Sequence, residues 1–371
     1  MNQAPGEAAG DGLSPKVSLA FLFVGIILFT VVMMVVSFPV GLYTVFGTRL
    51  SNNYSASSPV YALTYDLDFA RVQVPLNSNL GDVFAIFLLI YFGFLLLAGR
   101  QGPGLFRALR AATTGRYEAL FTNPLSAMTV LLGATSLVTI LVDTVQSGAG
   151  VSTGSLTGDP FSLLVDFTVA PLLEESTFRL IMLGVPVLVL ALLLLRGLSP
   201  LKAAKVLWRP SSAWDVDETD DGEKRRSFDE SDLSMFPSNP PRSLRVRALR
   251  PTVYLFLVLS SFSFGYAHYA SGSGWGPGKV SEAALAGLAL GYLYIKYGFH
   301  TSVLLHWSIN YVGSIYSFLA QGLYGVPWTS NPGSFLDVLP SVDIVFLLGV
   351  PSLLLLVNEL MKGAMGTSSK E

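Results

Sequence analysis

Between Phe161 and Leu195 the chain runs apolar for 35 residues, yet it carries Glu174, Glu175 and Arg179 in its middle, inside Pro171-Leu-Leu-Glu-Glu-Ser-Thr-Phe-Arg-Leu180. Such a run folds where lipid or a large apolar interior surrounds it. There each charge costs about 2.5–3.5 kcal/mol on insertion scales, unless it pairs or meets water. Three of them oppose insertion by about 8–10 kcal/mol, so the stretch demands both pairing and a use. At about 100° per residue, Glu175 and Arg179 share a helical face at i and i+4, within reach of a carboxylate–guanidinium pair, while Glu174 points about 100° away. As one helix the run would measure about 52 Å against a hydrocarbon core of about 30 Å. A break is therefore expected at Gly184 and Pro186, where proline removes a donor and crowds the preceding turn.

The rest of the chain has the same character. Of 371 residues, 51% are hydrophobic and 13% charged, with mean hydropathy +0.55, which indicates an all-α polytopic membrane protein. Further spans are expected at Val17–Phe46 with a kink at Pro39, Asp82–Ala98, Pro124–Val145, Pro251–Tyr269, Ser281–Tyr297, Thr301–Leu319 and Val338–Leu360. With the motif helix they make eight transmembrane helices enclosing an intramembrane polar cavity. The first run is too long for a signal peptide, and Glu7 and Asp11 precede it. Residues 47–82 read as a polar loop. Arg100, Arg107, Arg110 and Arg116, then Arg196, Lys202 and Lys205, mark cytoplasmic segments and place both termini in the cytoplasm. Residues 1–371 form a single membrane domain, with catalytic core helices at 161–320 and a flexible cytoplasmic insert at 199–250, acidic, then basic, then proline-bearing.

The net charge of −2 is gathered in loops and gives no reason to expect a nucleic-acid partner. The absence of cysteine excludes disulfides, thiolate metal sites and a cysteine nucleophile. Two of the three histidines lie within apolar runs, in Phe264-Gly-Tyr-Ala-His268 and His306-Trp-Ser-Ile-Asn310. Phe264 and His268 are one helical turn apart, as are His306 and Asn310, so three helices each present a polar group that can converge inside the bundle. His300 reads as a capping or interfacial residue. Counting along the spans puts His268 and His306 about 10–15 Å apart in depth. A shared site then requires the fifth span to be short or tilted, with the loop at 270–280 dipping into the bundle.

Glu174-Glu-x-x-x-Arg179, Phe264-x-x-x-His268 and His306-x-x-x-Asn310, in that order, resemble the three motifs of the CAAX protease and bacteriocin-processing family. That family includes the type II CAAX prenyl endopeptidases. The similarity covers roughly residues 160–315, with Leu180 where a glycine is frequent and a longer insert. The resemblance implies an eight-helix intramembrane endopeptidase with no cofactor and no metal. By carry-over, Glu174 is the general base on a water that His268 helps to orient, and His306 and Asn310 form an oxyanion hole. Glu175, Arg179 and Phe264 are supporting residues. The implied partners are the lipid bilayer and a peptide or protein substrate, for which prenylated CAAX termini are the best-known class.

Two other readings use the same residues. Two histidines and a glutamate with an open position also make a zinc hydrolase ligand set, although here the histidines lie on separate helices rather than in a His-Glu-x-x-His turn. A relay of Glu174, His268 and His306 would also suit a proton-coupled transporter or a non-catalytic membrane factor. No inverted repeat accompanies it.

Overall fold

Three helices open on the same two-residue signal, a polar cap followed by proline: Asn123-Pro124, Asp159-Pro160 and Ser199-Pro200. The cap side chain accepts from backbone N–H groups that have no partner within the helix, and proline at the first helical position loses nothing. A computed structural model describes residues 15–67, 70–195, 198–214, 242–329, 347–358 and 361. Among these, α1 is Pro15–Gly47, α2 Leu80–Arg100, α3 Leu105–Thr113, α4 Pro124–Gly148 and α5 Pro160–Glu175. A π-helical stretch, Ser176–Gly184, leads into α6, Val185–Leu194. The chain continues with α7, Pro200–Trp208, α8, Arg242–Ala270, α9, Gly278–Tyr297, and α10, Phe299–Trp307. A second π-helical turn, Ser308–Val312, precedes α11, Ile315–Tyr324. The last described helix is α12, Leu347–Asn358.

Five of the described helices are long and apolar enough to cross a membrane, among them the continuous Pro160–Leu194. The protein is therefore a polytopic membrane protein. The sixth and seventh expected spans are α9 and the α10–α11 segment. Of the eighth, 338–346 and 359–360 lie outside the described residues.

Three expectations need correction. The segment 47–82 is more than a polar loop, because Pro59–Leu67 and Ala70–Asn79 pair as antiparallel strands β1 and β2, from Pro59 opposite Asn79 to Leu67 opposite Ala70. Nor does the motif helix break at Gly184 and Pro186. The π-helical stretch ends at Gly184 and the helix runs on, with Pro186 in the first turn of α6. A Cβ at Gly184 would collide with the hydroxyl of Tyr294, so close approach accounts for this glycine. Finally, the 199–250 insert is helical at both ends, in α7 and α8, and its residues 215–241 lie outside the described residues.

Every residue of α10 is buried, and its neighbours are fastened to it and to each other by tyrosines. Trp307 stacks between Tyr91 and Tyr311, ring centroids 5.1 and 5.0 Å away. Tyr91 donates to the Thr168 carbonyl at 2.6 Å, Tyr311 to Ser37 at 2.9 Å and Tyr316 to Met33 at 3.0 Å. Such bonds between helices replace a driving force that the hydrophobic effect cannot supply in lipid. Small residues do the same for α8 and α9: a Cβ on Gly265 would strike the Val280 carbonyl, and one on Gly287 would lie 3.0 Å from Ser261 Cα. Val32, Leu89, Leu193 and Phe262 face outward, where acyl chains would cover them.

Candidate active site

The first motif lies where α5 passes into the π-helical stretch. Glu175 is fully buried. Its Oε2 sits 3.1 Å from Arg179 Nε and its Oε1 accepts from His306 Nδ1 at 3.0 Å. Ser302, one turn before His306 on α10, also donates to Oε2. Arg179 is fully buried too, with Nη1 3.5 Å from Ser260 Oγ and its guanidinium carbon 5.3 Å from the centre of the Phe264 ring. A buried charge pair of this kind holds only when further hydrogen bonds offset its desolvation, and Ser302, His306 and Ser260 surround it.

Glu174 faces elsewhere and is one quarter exposed. Its Oε2 lies 3.6 Å from His306 Nε2 and 4.0 Å from His268 Nε2, and that oxygen has no hydrogen-bond partner. The other nitrogen of each ring is committed, His306 Nδ1 to Glu175 and His268 Nδ1 to the Phe264 carbonyl at 2.9 Å. A carbonyl only accepts, so His268 Nδ1 holds the proton and its Nε2 offers a lone pair. Phe264 meets Phe178, His268 and His306 edge to face at 5.2, 4.7 and 5.4 Å, and spaces the two imidazoles.

A cavity of about 120 Å³ is lined by Phe264, His268, His306 and Asn310, with Ser136 and Thr139 of α4 and Lys279 and Glu282 of α9. Glu174 meets it through the two histidines rather than as a lining residue. Asn310 belongs to the second π-helical turn. Both π-helical stretches thus begin within two residues of site side chains, in keeping with the association of such wide turns with functional positions. A second cavity of about 220 Å³, lined chiefly by apolar side chains such as Phe29, Met33, Leu132 and Tyr316, shares Ser136 and Ile309 with the first. Among the described residues, no three His, Asp or Glu side chains are disposed to hold a metal ion.

Residues 157–312 match the family described as Rce1-like, type II CAAX prenyl endopeptidase. Over these residues, which hold all three motifs, the chain is similar to that family. It is a peptidase integral to the membrane, and its substrate is a peptide or protein there. No curated protein and no solved structure matches the chain.

The structure brings Glu174, Glu175, Arg179, Phe264, His268, His306 and Asn310 to one place. His268 and His306, expected 10–15 Å apart in depth, meet at one carboxylate oxygen. The loop after α8 does not dip into the bundle as expected: residues 271–274 are exposed, Trp275 pairs with Gly154, and the Trp275 ring lies 6.4 Å from that of His268. His300 is no interfacial cap. It is buried, stacked on Trp208 at 5.7 Å and edge-on to Phe94 at 6.2 Å. Ser260 and Ser302 were missed by sequence reasoning, yet a signal exists: each precedes a motif residue by one turn, in the series Ser260, Phe264, His268 and Ser302, His306, Asn310.

Proposed function

We propose that the chain is a glutamate-dependent intramembrane endopeptidase that needs no metal, with Glu174 as the base that activates water. The observation behind this reading is the approach of one unpartnered carboxylate oxygen to two imidazole nitrogens, 3.6 and 4.0 Å away, whose rings are held from behind. A water bridging Glu174 and His268 would donate one hydrogen to each and keep an oxygen lone pair for the scissile carbonyl. As Glu174 takes the proton, the water oxygen bonds to the carbonyl carbon. The resulting oxyanion accepts from Asn310 and from His306. Donation by His306 through Nε2 requires a second proton on the ring, since Nδ1 is committed to Glu175, and Glu174 at 3.6 Å is the nearest source. Collapse of the intermediate breaks the C–N bond, and this same proton, taken from water by Glu174 and held on His306 Nε2, passes to the leaving amine. Products are a carboxylic acid and an amine. Such a base is worth about 10²–10⁴-fold and an oxyanion donor about 10²–10³-fold.

The separations favour water over zinc between these groups. Ligand atoms about 2.0–2.1 Å from a tetrahedral zinc lie about 3.3 Å apart, so 4.0 Å would open the angle well toward linear. Water at about 2.8 Å from each partner spans the gap at close to a right angle. For the substrate, the apolar cavity that adjoins the polar one supports a lipid-bearing peptide, with prenylated CAAX-type termini as the class. The arginine and lysine distribution supports cytoplasmic termini. The test is cleavage of prenylated and unprenylated peptides by purified protein, comparing wild type with Glu174→Ala and Asn310→Ala. Cleavage of prenylated peptides by wild type alone is expected, and equal cleavage by Glu174→Ala would remove the base from the mechanism.

A further inference from the structure

Helix α4 measures out the path that a substrate would follow. Thr129, Leu132 and Gly133 line the apolar cavity, Ser136 lines both, and Thr135 and Thr139 line the polar one. One to two turns farther on, Gln146 donates to Ser281 at the start of α9, beside Lys279. The site histidines therefore lie between an apolar chamber on one side and a cation on the other. Among the residues lining the polar cavity, Lys279 is the one lysine or arginine.

We propose that Lys279 is a specificity residue that receives the C-terminal carboxylate of the substrate. This rests on the endopeptidase reading of the same site. Its ammonium lies 4.3 Å from the centre of the Trp275 ring, and that ring lies 6.4 Å from His268. The ammonium is thus no more than about 11 Å from the His268 ring, the span of about three extended residues at about 3.3–3.6 Å each. Peptide bonds placed at the histidines and followed by a short C-terminal stretch would bring their terminal carboxylate to Lys279. Glu282 reaches the lysine only at 3.5 Å, which leaves ammonium hydrogens free for a second acceptor. The lysine is also partly desolvated, with its side chain one quarter exposed, where a charge-assisted hydrogen bond is stronger than at an open surface.

The experiment uses purified full-length protein in liposomes and pairs of peptides identical except for a free or amidated C-terminus. Wild type should cleave the free acid with kcat/KM about tenfold above the amide, as expected for one charge-assisted hydrogen bond, with the difference carried by KM. Lys279→Ala should erase that preference through loss on the acid alone, while Lys279→Arg should keep most of it. Equal cleavage of acid and amide by wild type, a preference that survives Lys279→Ala, or an equal loss on both peptides in that variant would each overturn the proposal. A Glu174→Gln enzyme that still cleaves would instead overturn the catalytic reading, whatever the Lys279 variants do.

Discussion

Glu174 and Glu175 are neighbours in sequence and opposites in surroundings. Glu175 is sealed from solvent, with both oxygens occupied by Arg179, Ser302 and His306. Glu174 is partly exposed and its Oε2 has no partner, though two imidazoles face it. One residue step, a rotation of about 100° about the helix axis, separates the two environments. A carboxylate whose oxygens are all engaged holds other groups in place, whereas one facing open lone pairs and a cavity is free to take a proton. The proposed reaction needs both, since Glu175 fixes the ring that Glu174 faces.

The contrast can be broken by substitution. Glu174→Gln keeps the shape and removes the base, so kcat should fall by about 10²–10⁴-fold with thermal unfolding unchanged. Peptide cleavage and melting of the same preparation check this. Asn310→Ala should lower kcat by about 10²–10³-fold with little change in KM, the signature of a donor used only in the transition state. Glu175→Gln should act on stability, by about 3–5 kcal/mol, because it leaves Arg179 buried and uncompensated. Adding Arg179→Met should recover part of that loss in detergent unfolding curves, and no recovery would mean that the pair is not coupled. The smallest effect is expected from His300→Phe. His300 Nδ1 has no partner, so an apolar ring of similar shape should change stability by less than about 1 kcal/mol and leave cleavage rates untouched.

Much of this contrast could be read from residue spacing. The i, i+4 relation of Glu175 and Arg179 anticipated their pairing, and the three motifs anticipated which helices would meet. The third partner of Glu175 was not legible, because His306 arrives from 131 residues away and no local period reports such a contact. The π-helical stretches were equally hidden: helical periodicity assumes 3.6 residues per turn, and Pro186 looked like a break when a wide turn just before it lets the helix continue. The hairpin of β1 and β2 was masked by Ser and Asn at the end of the second strand, which read as loop. The cap–proline pairs at 123, 159 and 199 were visible in the sequence and mark helix starts, because their effect is local.

The proposed chemistry turns on whether a carboxylate base or a metal activates the water. The most direct test is the cleavage rate of purified wild type and Glu174→Gln in one assay, before and after exhaustive chelation and after zinc is restored. Wild type should retain its rate through chelation, and the variant should stay low throughout. Loss of the wild-type rate on chelation with recovery on zinc addition would contradict the glutamate-only mechanism.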